Sequence, residues 1–141
     1  MATFAAVNVL TNAVEGVKYN ATGNTSEIWS AAVTTSLASG DTITGPSLPA
    51  GCYLVDVVVD TDDLDSATSI TFKAGYSGAL AAWIADGNTT MRTGGIVHAN
   101  VAGTVGYTST SDKQLLVTIT ATAGTPVAGT VRLGLIYTAS P

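Results

Sequence analysis

The sequence predicts an all-β protein, a single-domain jelly-roll or related antiparallel β-sandwich. Three observations carry this. Apolar residues alternate with polar ones at a period of two; Thr, Val, Ala and Gly dominate where an amphipathic helix would show Leu, Glu and Lys; and turn-forming residues recur at short intervals. Short strands at such spacing, with no long helical pattern between them, build sandwiches, jelly rolls and small barrels. A length of 141 residues is that of one domain of ordinary size.

Residues 1–13 stand apart from the rest of the chain. The apolar stretch FAAVNVL runs into the loop-like TNA, which predicts an N-terminal arm or an edge strand, with residues 14–141 forming the sandwich domain. Short strands are then expected at Val14 to Tyr19 and at Ile28 to Leu37. The next strand is stronger: Tyr53, Val55, Val57 and Val59 share one face, with Asp56 and Asp60 on the other, as a strand with one side on a core requires. Further strands are expected at Ser69 to Tyr76, Leu80 to Ile84 and Thr104 to Thr108. Two late strands repeat the strong alternation. Leu115, Val117 and Ile119 oppose Thr118 and Thr120, and Val131, Leu133, Leu135 and Tyr137 oppose Arg132 and Gly134. Gly40-Asp41, Gly45-Pro46, Pro49-Ala50-Gly51, Asp86-Gly87-Asn88, Gly94-Gly95 and Gly124-Thr125-Pro126 read as turns between these elements.

Composition excludes several classes of function. Charged residues are 11% of the chain, against roughly 25% in a typical soluble domain. The net charge is −5, and Lys18, Lys73, Arg92, Lys113 and Arg132 are scattered singly, so no nucleic-acid partner is expected, since that would need a basic stripe. No membrane partner is expected either: the strongest apolar run, Leu54 to Val59, is interrupted by Asp56 and falls far short of the roughly 20 residues of a helical span. No cation precedes Lys18, so a secretory leader is not expected, and the sequons at Asn20, Asn24 and Asn88 carry no weight in a chain this rich in Thr and Asn.

The chemistry-bearing residues are few. Cys52 is the one cysteine, which excludes an intramolecular disulfide and a thiolate zinc cluster; at the head of an apolar run it is expected to be a buried small hydrophobe. His98 is the one histidine, with no sequence context that specifies a catalytic triad, and is expected to be a surface or satisfied polar residue. The acidic run Asp60-Thr61-Asp62-Asp63-Leu64-Asp65 fails the calcium-loop template, because Leu64 falls on the third ligand position and Thr71 on the twelfth. It reads instead as a solvated turn whose short side chains bond the nearby backbone. No phosphate-binding glycine motif is present, so no catalytic, cofactor or metal residue is assigned.

So few charges leave an exterior of Thr, Ser, Ala, Gly and some aliphatic residues, which is easiest to understand if other subunits cover part of it. The block LPAGCYLVDVVVDTDDLDSATSITFKAGY and the later YTSTSDKQLLVTITATAGTPVAGTVRLGLIYTASP show a Pro-Ala-Gly turn before a Val-rich strand ending in Asp-x-Asp-Asp-Leu-Asp, an Ile-Thr-Phe strand, and a late Ala-Gly-Thr-Val-Arg-Leu strand. From Pro49 to Tyr137 this resembles the head decoration, or cement, proteins of tailed bacteriophages; the segment between Tyr76 and Tyr107 matches less well. The resemblance implies a non-enzymatic virion structural protein without cofactors. It would be made in the host cytoplasm and bound to the capsid exterior, where it bridges capsomers. Its implied partners are the major capsid protein and, as a dimer or trimer, further copies of itself. The detached apolar segment offers Phe4, Val7, Val9 and Leu10 as capsid or subunit contacts. The alternative is a head-fibre or tail-associated module that recognises host-surface carbohydrate through Trp29 or Trp83.

Overall fold

The structure is a computed structural model that describes residues 3–5, 7–8, 19–21, 24–34 and 36–139. It is the β-sandwich expected. The strands, in chain order, are β1 (Thr3–Ala5), β2 (Val7–Asn8), β3 (Tyr19–Ala21), β4 (Asn24–Val33), β5 (Thr42–Leu48), β6 (Cys52–Thr61), β7 (Thr71–Tyr76), β8 (Ala79–Asn88), β9 (Gly95–His98), β10 (Lys113–Ala121) and β11 (Gly129–Ala139), with one turn of 3₁₀ helix at Thr90–Arg92. The first sheet runs β1-β5-β10-β7-β8 and the second β2-β4-β11-β6-β9, with β3 also on β4. All pairs are antiparallel except β1 with β5. From β4 onward the chain passes from sheet to sheet at every connection except the β7–β8 hairpin, so each half of the core is built from distant segments.

The three strongest sequence patterns point where expected over most of their length. Leu115, Val117 and Ile119 from β10 face Val131, Leu133, Leu135 and Tyr137 from β11 across a core that also holds Phe72, Ile84, Val57 and Val59, all buried. Near its start β6 departs from the expected alternation. Ile136 pairs with Asp56 but Tyr137 pairs with Leu54, so Val55 is an extra residue in a β-bulge. One inserted residue shifts the alternation by one step; Leu54 is buried and Tyr53 is turned to solvent, the reverse of the expectation from Tyr53 and Val55.

Other expectations change for similar reasons. Gly45-Pro46 is not a turn but lies inside β5, where two residues on β5 oppose Leu115 alone in a register shift. Among the described residues β1 pairs with β5 no further than Thr44, so no ladder partner there asks for an N–H from Pro46. Asp86-Gly87-Asn88 is likewise within β8, whose pairing advances from Ile84 to Asn88 while β7 moves from Ala74 to Phe72. Thr104 to Thr108 is not a strand. Gly103 and Gly106 take φ of 87° and 86°, which breaks extended structure, and the segment folds in turns that stitch to β6 through Gly106 N–H to Leu54 O (2.7 Å) and Leu54 N–H to Tyr107 O (2.9 Å). The strand expected over Val14 to Tyr19 lies outside the described residues but for Tyr19, which opens β3.

Candidate docking face

The acidic run after β6 is where local sequence and environment differ most. Asp62 Oδ2 accepts the Thr130 N–H at 2.8 Å and Asp63 Oδ1 accepts the Asp65 N–H at 3.1 Å, so the expected side-chain bonds to backbone are present. Asp65 is not solvated: it is wholly buried. Its Oδ1 accepts N–H groups of Ala67 and Thr125, and its Oδ2 those of Ser69, Ile70 and Gly124 together with the Ser69 hydroxyl, at 2.8 to 3.2 Å. Burial alone would raise the carboxyl's pKa. The N–H groups of Thr125, Ser69, Ile70 and Gly124 outweigh burial and hold it well below the usual carboxylate range. Asp65 is therefore a structural anion that pins two loops. Among the described residues no three His, Cys, Asp or Glu side chains gather as a metal site.

The aromatic candidates separate. Trp83 is buried at 1% exposure, packed at a tilt against Tyr76 and edge-to-face with Tyr107 at ring-centroid distances of 5.3 and 5.8 Å, so it offers no platform to a sugar. Trp29 is half-buried, and its Nε1–H is held by Glu27 Oε1 at 2.9 Å. Cys52 is half-buried rather than enclosed, because it opens β6 at the end of the sheet, opposite Ala139. His98 is an exposed residue of β9 whose Nδ1 lies 2.7 Å from Asp56 Oδ2. Of the N-terminal candidates, Phe4 lies in β1 opposite Ile43 and Val7 in β2 opposite Ser30; Val9 and Leu10 lie outside the described residues.

The outward face of the second sheet holds a feature that local sequence patterns do not single out. Register places Ile28, Gly134, Val58 and His98 in one row across β4, β11, β6 and β9, and Ser30, Arg132, Asp60 and Ile96 in the next. Between Ile28 and Val58 Gly134, itself buried, adds no side chain, and an open trough of about 200 Å³ runs above it, flanked by Ile96 and Ile136. Ile28 and Ile96 are 43% and 62% exposed. Beside it Arg132 Nη1 lies 3.4 Å from Asp60 Oδ2 and 3.6 Å from Asp62 Oδ1. Exposed aliphatic side chains around a concave floor are what docking surfaces present. A signal was legible in TVRLGLIYT, where Ile136 and Gly134 occupy outward positions, but the trough residues outside β11 come from three separate strands.

No family model matches the chain and no curated protein matches it. Solved structures do. The chain is similar to a chain in the capsid of Ralstonia phage GP4, with a TM-score of 0.79 over 99% of each chain at 23% identity. It is similar also to a chain in the cyanophage Pam1 capsid asymmetric unit, with a TM-score of 0.72 over 84% of this chain and 88% of that one at 24% identity. A chain of the acid-stable capsid of Helicobacter pylori bacteriophage KHP30 matches with a TM-score of 0.57 and 12% identity over 84% and 94%. What the chain shares with all three is the fold.

Proposed function

We propose that the chain is a non-enzymatic virion structural protein that binds the outside of a phage capsid and stabilises the shell by bridging capsomers. The observation that carries this reading is the end-to-end match, 99% of both chains, to a chain in a phage capsid. The scarcity of charge and the exposed aliphatic face are in keeping with a surface partly covered in an assembly. Such a protein works by mass action: binding only the assembled lattice, across neighbouring subunits, it favours the closed shell. Its partners are the major capsid protein and further copies of itself, as a dimer or trimer. Residues 1–13, with Phe4, Val7, Val9 and Leu10, add capsid or subunit contacts.

Quantitative mass spectrometry of purified particles tests the reading. A copy number in simple ratio to the shell protein across the whole lattice is expected. A few copies per particle would instead place the chain at a vertex or tail and overturn the bridging role. Deleting residues 2–10 should weaken attachment while the domain stays folded; unchanged attachment would remove the N-terminal contacts from the proposal.

A further inference from the structure

We propose that the trough on the outward face of the second sheet seats an extended segment of the shell protein, one that inserts a branched aliphatic side chain beside a lysine or arginine. The inference rests on the reading that the chain attaches to a shell, and it names the attachment site.

Gly134 is the first argument. It lies in the interior of β11, paired on one side with Ile28 and on the other with Val58. Glycine weakens a strand interior, since it loses the most backbone freedom and packs nothing. Elsewhere in the chain the structure supplies a reason: every other glycine among the described residues either has positive φ or would bring a Cβ within 3.0 Å of a neighbour. Gly134 has neither. A Cβ there would sit 3.5 Å from Ile28 Cγ1 and 3.7 Å from Val58 Cβ, ordinary contact distances. The protein's own packing leaves room for a side chain, so the depth that glycine provides is available to an outside group. A glycine of this kind marks close approach by a partner.

Charge selects the partner. Among the described residues, Asp60 lines the trough with Arg132, whose guanidinium is shared between Asp60 and Asp62, and Asp56 lies in register with the trough residue Ile136, carrying His98. A second copy of this chain would bring the same acidic surplus to the contact, and like charges opposed across an interface are costly. A segment with a cation next to its aliphatic residue meets complementary charge at Asp60 and an apolar floor at Gly134.

The test is binding of the purified protein to shells assembled without it, by co-sedimentation titration, for the wild type, Gly134→Val and Asp60→Asn. Gly134→Val fills the trough and should bind roughly tenfold more weakly with unchanged melting; Asp60→Asn should bind with a shallower salt dependence. If Gly134→Val fails to fold, Ile96→Ser, at an exposed position, carries the same expectation of weakened binding. Gly134→Val binding like the wild type, with the wild type attached, overturns the trough and leaves the attachment reading standing. A wild type that does not bind overturns both. If sedimentation equilibrium shows a wild-type oligomer that Gly134→Val dissociates, the occupant is a second copy and the shell-segment proposal falls.

Discussion

Asp65 Oδ1 accepts the backbone N–H of Thr125 at 2.8 Å, across 60 residues of chain. With its other bonds this carboxylate closes the loop that follows β6 onto the loop that precedes β11, and so locks the end of the sandwich.

Replacing Asp65 should therefore be costly. In Asp65→Asn an amide NH₂ takes the place of one acceptor and faces backbone donors that then have no partner. The melting temperature is expected to fall by roughly 10 °C, read by calorimetry. The pH dependence has a definite sign. The folded carboxyl holds its proton less tightly than the unfolded one, so stability from this group is complete above about pH 4 and is lost as pH falls toward the folded value. Urea titrations through the acid range should show a shallower loss in Asp65→Asn than in the wild type.

Tyr137 gives the opposite limb. Burial, then the charges of Glu27 and Cys52, push its hydroxyl up to about 12. Unfolded tyrosine ionises near pH 10, as a rough reference. The folded state therefore keeps a proton that the unfolded state releases, and stability falls as pH rises from about 10 to about 12. Tyr137→Phe should flatten that alkaline loss, measured by urea titration on either side of pH 10.

Gly45 is held by packing rather than by its backbone angle. A Cβ there would lie 3.0 Å from Leu133 Cδ1 and 3.2 Å from Leu115 Cδ2, both buried core residues. Gly45→Ala should lower unfolding stability by about 1–3 kcal/mol through overpacking, and a denaturant titration with an unchanged m-value would show it.

Thr61 offers a gain. It follows Val57 and Val59 on the core face of β6, and its hydroxyl is buried with no hydrogen-bond partner. Thr61→Val keeps the shape and removes the unpaired hydroxyl, so stability should rise by about 1 kcal/mol. A decrease on chemical denaturation would show that the hydroxyl has a partner after all.

Legibility in the sequence followed the range of the physics involved. The core faces of β10 and β11 were readable because alternation within one strand reports which side is buried. β5 was hidden because Gly45 and Pro46 carry a turn signature that the bulge opposite Leu115 accommodates within the strand. β9 was hidden because four residues opening on glycine show too little pattern. The docking face was missed for a different reason: Ile28, Val58 and Ile96 are ordinary aliphatic residues until register sets them around Gly134.

By itself the sequence determined the sandwich class, the inward faces of its two late strands and an exterior poor in charge, because these depend on composition and on neighbours two residues apart. Tertiary structure alone decided that the bulge at Val55 turns Leu54 inward, that Trp83 is enclosed while Trp29 reaches the surface, and that Asp65 is buried. It also decided that Gly134 is the floor of a trough. Each of those depends on which strand lies alongside and in what register, a relation between residues tens of positions apart that no local pattern encodes.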